Sequence, residues 1–169
     1  MEMEIVIIAA VAENSVIGNE NSIPWKLPTD MARFRDITMG HAVLMGRNTY
    51  KSIQPESRPL PGRDNIIITR DLDYRPDPYV LVVNDFNQAV QVATPSGKLF
   101  VAGGAEVYKL ALPHATSIVL TKVHARVEGN VIMPPINWPE WTLVFDDEGI
   151  KNPKDEYEMS FLYYVRAVP

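Results

Sequence analysis

Asp30 is a carboxylate in a position where a helix should bury hydrocarbon. It lies in residues 23–35, IPWKLPTDMARFR. Pro28 fits a first helical position, and Thr29 and Asp30 fit the first turn by capping chemistry and the macrodipole, so the spacing predicts a helix from about residue 28. At about 100° per residue, Asp30, Met31, Phe34, Ile37 and Thr38 fall on one stripe, with Ala32, Arg33, Arg35 and Asp36 around the rest of the cylinder. The carboxylate therefore points with the apolar face. An unpaired ion taken out of water costs several kcal/mol against a domain stability of about 5–15 kcal/mol, so the group must be paired, hydrated or protonated. A ligand could be its partner. In the other reading Asp30 caps its own helix and faces solvent, and this helix alone does not choose between the two.

Three further places carry groups suited to anions. Gly46-Arg47-Asn48-Thr49 sets an arginine and a hydroxyl at a helix start, Thr69-Arg70 ends a strand, and Gly103-Gly104-Ala105 opens a helix with bare backbone. Each has a plain alternative, a tight turn or a solvated arginine. Together they offer what a dinucleotide needs, a pyrophosphate cradle and cations for a 2′-phosphate. A full GxGxxG and its following acidic residue are missing, so this is not an ordinary Rossmann site, and arginines in that place favour the 2′-phosphorylated dinucleotide.

These groups need a scaffold. Residues 5–11, IVIIAAV, form a continuous apolar run rich in β-branched side chains, the pattern of a central strand. Further strands are expected at residues 41–45, 65–69, 79–83, 98–102 and 118–123, with helices opening near 28 and 48 and spanning 86–93 and 105–112. Residues 13–27 read as one long aperiodic loop, of the kind that often serves as a lid. Residues 141–145 and 157–168 flank a polar turn, 146–156, and read as an antiparallel pair. The expectation is an α/β domain spanning residues 1–169, with a mostly parallel eight-stranded sheet, an antiparallel C-terminal edge and about four flanking helices. Ligands of such sheets sit beyond the carboxyl ends of the strands, where the glycine turns and arginines fall.

Composition narrows the classes. With 169 residues and no cysteine, disulfides, thiolate metal sites and a thiol nucleophile are excluded. The three histidines lack ligand spacing, so no metal is expected. An acidic start and an apolar run too short for a bilayer predict a cytoplasmic protein without membrane contact. The net charge of −5 and the lack of a basic stripe disfavour nucleic acid as a partner.

Taken in order, Ile8-Ala9-Ala10, Val16-Ile17-Gly18, Ile23-Pro24-Trp25-Lys26-Leu27-Pro28 with Asp30, Val43-Leu44-Met45-Gly46-Arg47-Asn48-Thr49-Tyr50, Arg58-Pro59-Leu60-Pro61-Gly62-Arg63, Gly103-Gly104-Ala105-Glu106-Val107-Tyr108 and Leu120-Thr121 resemble the dihydrofolate reductases of the bacterial chromosomal type. The likeness runs over nearly the whole chain. It implies an NADPH-dependent monomer that reduces 7,8-dihydrofolate to tetrahydrofolate for one-carbon metabolism and binds antifolate inhibitors. In that reading Asp30 forks onto the pterin's ring NH and 2-amino group, Thr121 backs Asp30 by its hydroxyl and a water, and Trp25 closes over the reaction centre. Ile8, Met31, Phe34 and Ile53 sandwich the ring and benzoyl group, and Arg63, with Arg58 nearby, grips the tail carboxylate. Ala10 and the loop containing Val16, Ile17, Gly18, Asn19 and Ser22 line the nicotinamide. Gly46, Asn48 and Thr49 meet the phosphates, Arg47, Thr69 and Arg70 the 2′-phosphate, and Gly103, Gly104, Ala105, Glu106, Val107 and Tyr108 the pyrophosphate.

The chain departs from the family pattern at Ala102, Ala105 and Asn130, and has a longer segment before Arg58. Asn130 stands where some members carry an acid that bonds the active-site loop. Two competitors are a related pterin or pyrimidine reductase, for which Arg63 has no use, and a non-catalytic nucleotide-binding module, for which Trp25 and Asp30 have none.

Overall fold

The computed structural model describes residues 3–20 and 22–167. β1 (Glu4–Ala12) lies inside the main sheet, as its unbroken apolar run requires, with Ile5 to Ala9 all buried. The chain continues through β2 (Val16–Gly18), α1 (Pro28–Thr38), β3 (Ala42–Gly46), α2 (Arg47–Ser52), β4 (Asp64–Ile68), β5 (Val80–Val83), α3 (Phe86–Ala93), β6 (Lys98–Val101) and α4 (Ala105–Ala111). It closes with β7 (Ser117–Val123), β8 (Val131–Ile132), β9 (Trp141–Ile150) and β10 (Met159–Arg166).

Eight strands form one sheet in the order β5-β4-β3-β6-β1-β7-β10-β9. The first six are mutually parallel, and β10 runs antiparallel to both β7 and β9. The expected α/β architecture with an antiparallel C-terminal edge is the observed one. Alternation along the strands sends Ile5, Ile7, Leu44, Val101 and Ile118 into a core shared with α3 and α4. Val6, Ile8, Val43, Met45, Phe100 and Val119 face Tyr50 of α2 and Phe34 and Ile37 of α1. Full burial of such side chains stabilises by about 1.5–3 kcal/mol each. A third cluster, with Trp25, Leu27, Val123, Met159 and Phe161, closes the end of the sheet where β1 and β7 finish.

Three expectations need correction. The segment 13–27 contains β2, which pairs antiparallel with β8; strands this short, more than 110 residues apart, leave no local period. The polar stretch 146–150 continues β9 rather than turning, because an edge strand with exposed flanks tolerates Asp146, Asp147 and Glu148. The last strand stops at Arg166, and Val168 lies outside the described residues.

Helix α1 begins at Pro28, as its sequence predicts, but no side chain of its own caps it. Asp155, from the segment before β10, does so instead. Its carboxylate accepts from the Thr29 amide at 3.1 Å and the Thr29 hydroxyl at 2.6 Å, and also from the Asn152 amide at 2.9 Å. Burial pushes the Asp155 carboxyl up, but the bonds from Thr29 and Asn152 and the charge of Lys151 outweigh it and leave it below the ordinary carboxylate range. The start of α1 is thereby fixed to the C-terminal hairpin. Among the described residues no helix is long and apolar enough to cross a membrane.

Candidate active site

The sheet order puts two chemically different strips side by side. β4, β3 and β6 end in Thr69, Gly46 and the Gly103-Gly104 turn, whereas β7 carries Thr121. β1 lies between β6 and β7, with Ala10 in register with Thr121 and Ile8 with Val119.

Asp30 occupies the first turn of α1 and points inward. Its Oδ1 accepts a hydrogen bond from the Thr121 hydroxyl at 2.5 Å. The reading in which Asp30 caps its own helix is therefore excluded. Burial pushes the Asp30 carboxyl above its ordinary value; the Thr121 hydrogen bond and the Arg33 charge pull it part of the way back, and Asp155 adds to the rise. This is a desolvated acid beside an apolar wall, with Ile8 buried and Phe34, Ile53 and Leu60 packed against the same cluster. Met31 is 67% exposed, off the buried stripe that the helical wheel gave it. It sits one residue, about 100°, from Asp30, at the outer border of that stripe.

The two arginines of the 58–63 turn have different surroundings. Arg63 donates from Nε to the Pro61 carbonyl at 2.9 Å and from Nη1 to the Thr38 hydroxyl at 3.3 Å, which holds it at the C-terminal end of α1. Burial and the charge of Arg35 lower its proton affinity without threatening its charge. Arg58 instead turns its Nη1 to the carbonyls of Lys51 and Ile53, at 3.1 and 3.3 Å, over the ring of Tyr50. It closes the end of α2, where free carbonyls attract a cation, and the structure does not bring it together with Arg63.

On the other strip the glycines leave room for close backbone approach. The Gly46 amide donates to the Gly103 carbonyl at 2.9 Å. Gly103 has φ +117° and packs against the Tyr108 ring, so a side chain there would be strained. A Cβ on Gly104 would lie 3.5 Å from the Thr49 hydroxyl oxygen, and one on Gly46 3.3 Å from Val107. Thr49 and the glycine turn thus lie together at the start of α4, where Ala105 is half-buried and Glu106 exposed. Tyr108 is buried and donates from its hydroxyl to the Ile8 carbonyl at 2.7 Å, tying α4 to β1. Asn48 is exposed in the first turn of α2. Arg47 pairs with Asp71 at 3.3 Å and lies over the Tyr74 ring; Thr69 accepts from the Asp71 amide, and Arg70 is exposed beside them.

The segment around β2 is tied down by its own backbone and by the segment before β8. Asn19 and Ser22 bond each other's backbone at 2.9 and 3.0 Å, Val16 is buried, and Ile17 and Gly18 are half-buried in β2; Asn21 lies outside the described residues. The Glu20 amide donates to Oδ1 of Asn130 at 3.0 Å, so the amide side chain still supplies an acceptor to the loop. Trp25 is buried, and Ala10 packs against the same cluster.

Asp155, which caps α1 from a segment more than 120 residues later, has no signal in its own sequence neighbourhood.

The Asp30 carboxylate, held by Thr121 of β7, and the Gly103-Gly104 turn after β6 thus lie on either side of β1 in an α/β domain. A sequence model described as dihydrofolate reductase matches residues 4–166. The dihydrofolate reductase of Bacillus subtilis (strain 168) is 37% identical over 159 residues, 93% of this chain and 91% of its own. That of Haemophilus influenzae is 36% identical over 160 residues, 95% and 97% of the two chains. A solved dihydrofolate reductase from Enterococcus faecalis, complexed with NADP(H) and RAB-propyl, superposes with a TM-score of 0.91 at 30% identity, covering 98% of this chain and 97% of its own. The chain belongs to the dihydrofolate reductase family and is an oxidoreductase of that family.

Proposed function

We propose that the protein reduces 7,8-dihydrofolate to 5,6,7,8-tetrahydrofolate with NADPH, adding hydride at C6 and a proton at N5, and so supplies one-carbon metabolism. It does so as a single domain, working as a monomer in the cytoplasm. The observation that carries this reading is the Asp30 carboxylate, held by Thr121 in an apolar wall one strand from the glycine turn.

The residues present fit the cofactor. Gly46, Gly103 and Gly104 leave the glycine turn without side chains, so its backbone can be approached closely, and Thr49 brings a hydroxyl beside Gly104. Asn48, Thr49 and the amides from Gly104 to Tyr108 would hold the phosphates; Arg47, Thr69 and Arg70 would take the 2′-phosphate. Ala10 and the loop from Val16 to Ser22 would face the nicotinamide. NADPH, when bound, supplies the hydride.

The rest of the chemistry falls to positioning and water exclusion. Asp30 accepts two hydrogen bonds from the pterin's ring NH and 2-amino group, an amidine-like edge that matches a carboxylate fork as a guanidinium does. It orients the ring and biases it towards protonation at N5; no described side chain donates to N5 directly. Ile8, Phe34 and Ile53 flank ring and benzoyl group, and Met31, exposed at the mouth, closes on the ligand. Trp25 and the loop exclude bulk water and hold the two rings in contact, the source of much of the rate.

Arg63 takes the α-carboxylate of the glutamate tail. A charge-assisted pair is worth about 1.5–3 kcal/mol, so Arg63→Gln is expected to raise KM for dihydrofolate about 10- to 100-fold with kcat little changed. A pterin substrate lacking the glutamate tail should show no such rise. An equal loss with both substrates would contradict the assignment. The overall reading is tested by adding dihydrofolate to enzyme and NADPH. Stoichiometric NADPH oxidation with tetrahydrofolate formation is the expected result; absence of both from folded protein would overturn it.

A further inference from the structure

Arg33 separates from the other charges of its helix. Arg35 and Asp36 pair with each other on the exposed face of α1, whereas the Arg33 guanidinium lies 4.1 Å from the centroid of the Phe161 ring. Phe161 is buried on β10 and stands opposite Thr121 in the β7–β10 ladder. Thr121 in turn holds Asp30. The path from Arg33 through the ring and the threonine leads back to the carboxylate one helical turn away, and positions i and i+3 are neighbours on a helix surface.

We propose that Arg33, seated on the face of Phe161, is the built-in counter-charge of Asp30 and favours its carboxylate form before substrate arrives. It is a positioning residue: it acts on the pterin through Asp30. This rests on the function proposed above, because it assigns Arg33 a part in the same site.

The groups that face Asp30 from its surroundings are few. Thr121 on β7 donates a neutral hydrogen bond, and Tyr108 on α4 is a phenol kept protonated by burial and by Asp30 itself. Asp155, from the segment before β10, is negative and opposes ionisation of Asp30, while its oxygens are engaged by Thr29 and Asn152. Burial lowers the proton affinity of the Arg33 guanidinium, and the negative charges of Asp30 and of Asp147 on β9 pull it part of the way back. Among these described groups Arg33 is the cation. The aromatic face suits this position because it attracts the guanidinium without adding a further negative charge to those of Asp30 and Asp147. The field of Arg33 therefore reaches Asp30 in a partly desolvated setting, where charges are weakly screened.

The test is a carbon-13 NMR titration of the aspartate carboxyls in the ligand-free protein, with the Asp30 signal identified by its loss in Asp30→Asn. Arg33→Met keeps the stem and removes the charge, and is expected to move the Asp30 midpoint upward. Arg33→Lys retains a charge and should stay nearer the wild type, and Phe161→Leu, which frees the guanidinium, should fall between wild type and Arg33→Met. The pH profile of single-turnover dihydrofolate reduction should move in the same direction. An Asp30 midpoint equal in wild type and Arg33→Met, both folded by their NMR spectra, would overturn the proposal, as would equal upward shifts in Arg33→Met and Arg33→Lys, which would mark a packing effect. The titration needs no substrate, so a moved midpoint in a protein that reduces no dihydrofolate would sink the proposed function and leave the counter-charge standing.

Discussion

Asp30→Asn is expected to lower the rate of dihydrofolate reduction at neutral pH by about 10²–10³-fold while making the protein more stable there. The substitution preserves shape but replaces one acceptor oxygen by an NH2 group that meets the pterin's own donors. Both hydrogen bonds of the fork cannot then form, and the substrate loses its orientation as well as its electronic bias. The stability gain has the opposite origin. Burial raises the Asp30 carboxyl above its ordinary 3.8 in the folded chain. Between that value and the raised folded one, the folded state binds more proton than the unfolded state, so stability falls as pH rises through this window. Above the window the wild type bears the part of the desolvation cost that Thr121 and Arg33 do not offset, which asparagine lacks. The advantage of Asp30→Asn in thermal melts should therefore be present at neutral pH and disappear below the ordinary carboxylate value. A variant that is slower but no more stable at neutral pH would indicate that the site compensates the charge better than its burial implies.

Gly129→Ala should cost about 10- to 100-fold in the hydride-transfer step although residue 129 is placed near none of the reacting groups. A Cβ at Gly129 would sit 2.5 Å from the Gly18 carbonyl oxygen and would overlap the Val16 side chain. Both belong to β2, in the loop assigned to the nicotinamide, and the Gly18 carbonyl cannot yield without shifting backbone. Around this contact the same two segments are joined by Asn14 to Val127 at 2.8 Å, by Glu20 to Asn130 and by Met133 to Ser15 at 2.8 Å. Forcing them apart withdraws the support of the loop, and overpacking of this kind costs about 1–3 kcal/mol of stability. NADPH affinity should fall less than the rate, because the phosphates are assigned to the far strip. The pH midpoint of Asp30 should stay put, which separates this effect from that of Asp30→Asn. Stopped-flow fluorescence and absorbance resolve the two steps; a wild-type rate of hydride transfer would contradict the assigned part of the loop.

The legible features were those with a local physical signature. The apolar run of β1 needs two covered faces wherever it occurs, and Pro28 starts a helix by its own geometry. Asp30 was conspicuous because its position on the wheel conflicted with its charge. The rest depended on partners distant in the chain. β2 and β8 are too short to show a period, and each becomes a strand only because the other is there. Arg33 reads as a surface residue on the wheel, since nothing near it in sequence announces Phe161. Arg58 and Arg63 look alike in the same turn, and only the exposed carbonyls at the end of α2 tell them apart. Gly129 carries no turn signal; its requirement is the backbone of Gly18, more than a hundred residues earlier.

The decisive measurement is the pH dependence of single-turnover NADPH oxidation by dihydrofolate, in wild type and Asp30→Asn side by side. The wild-type rate should titrate with a midpoint above the ordinary carboxylate range, and Asp30→Asn should be slow and lack that transition. Superimposable profiles from the two proteins would show that the buried carboxylate does not govern the reaction.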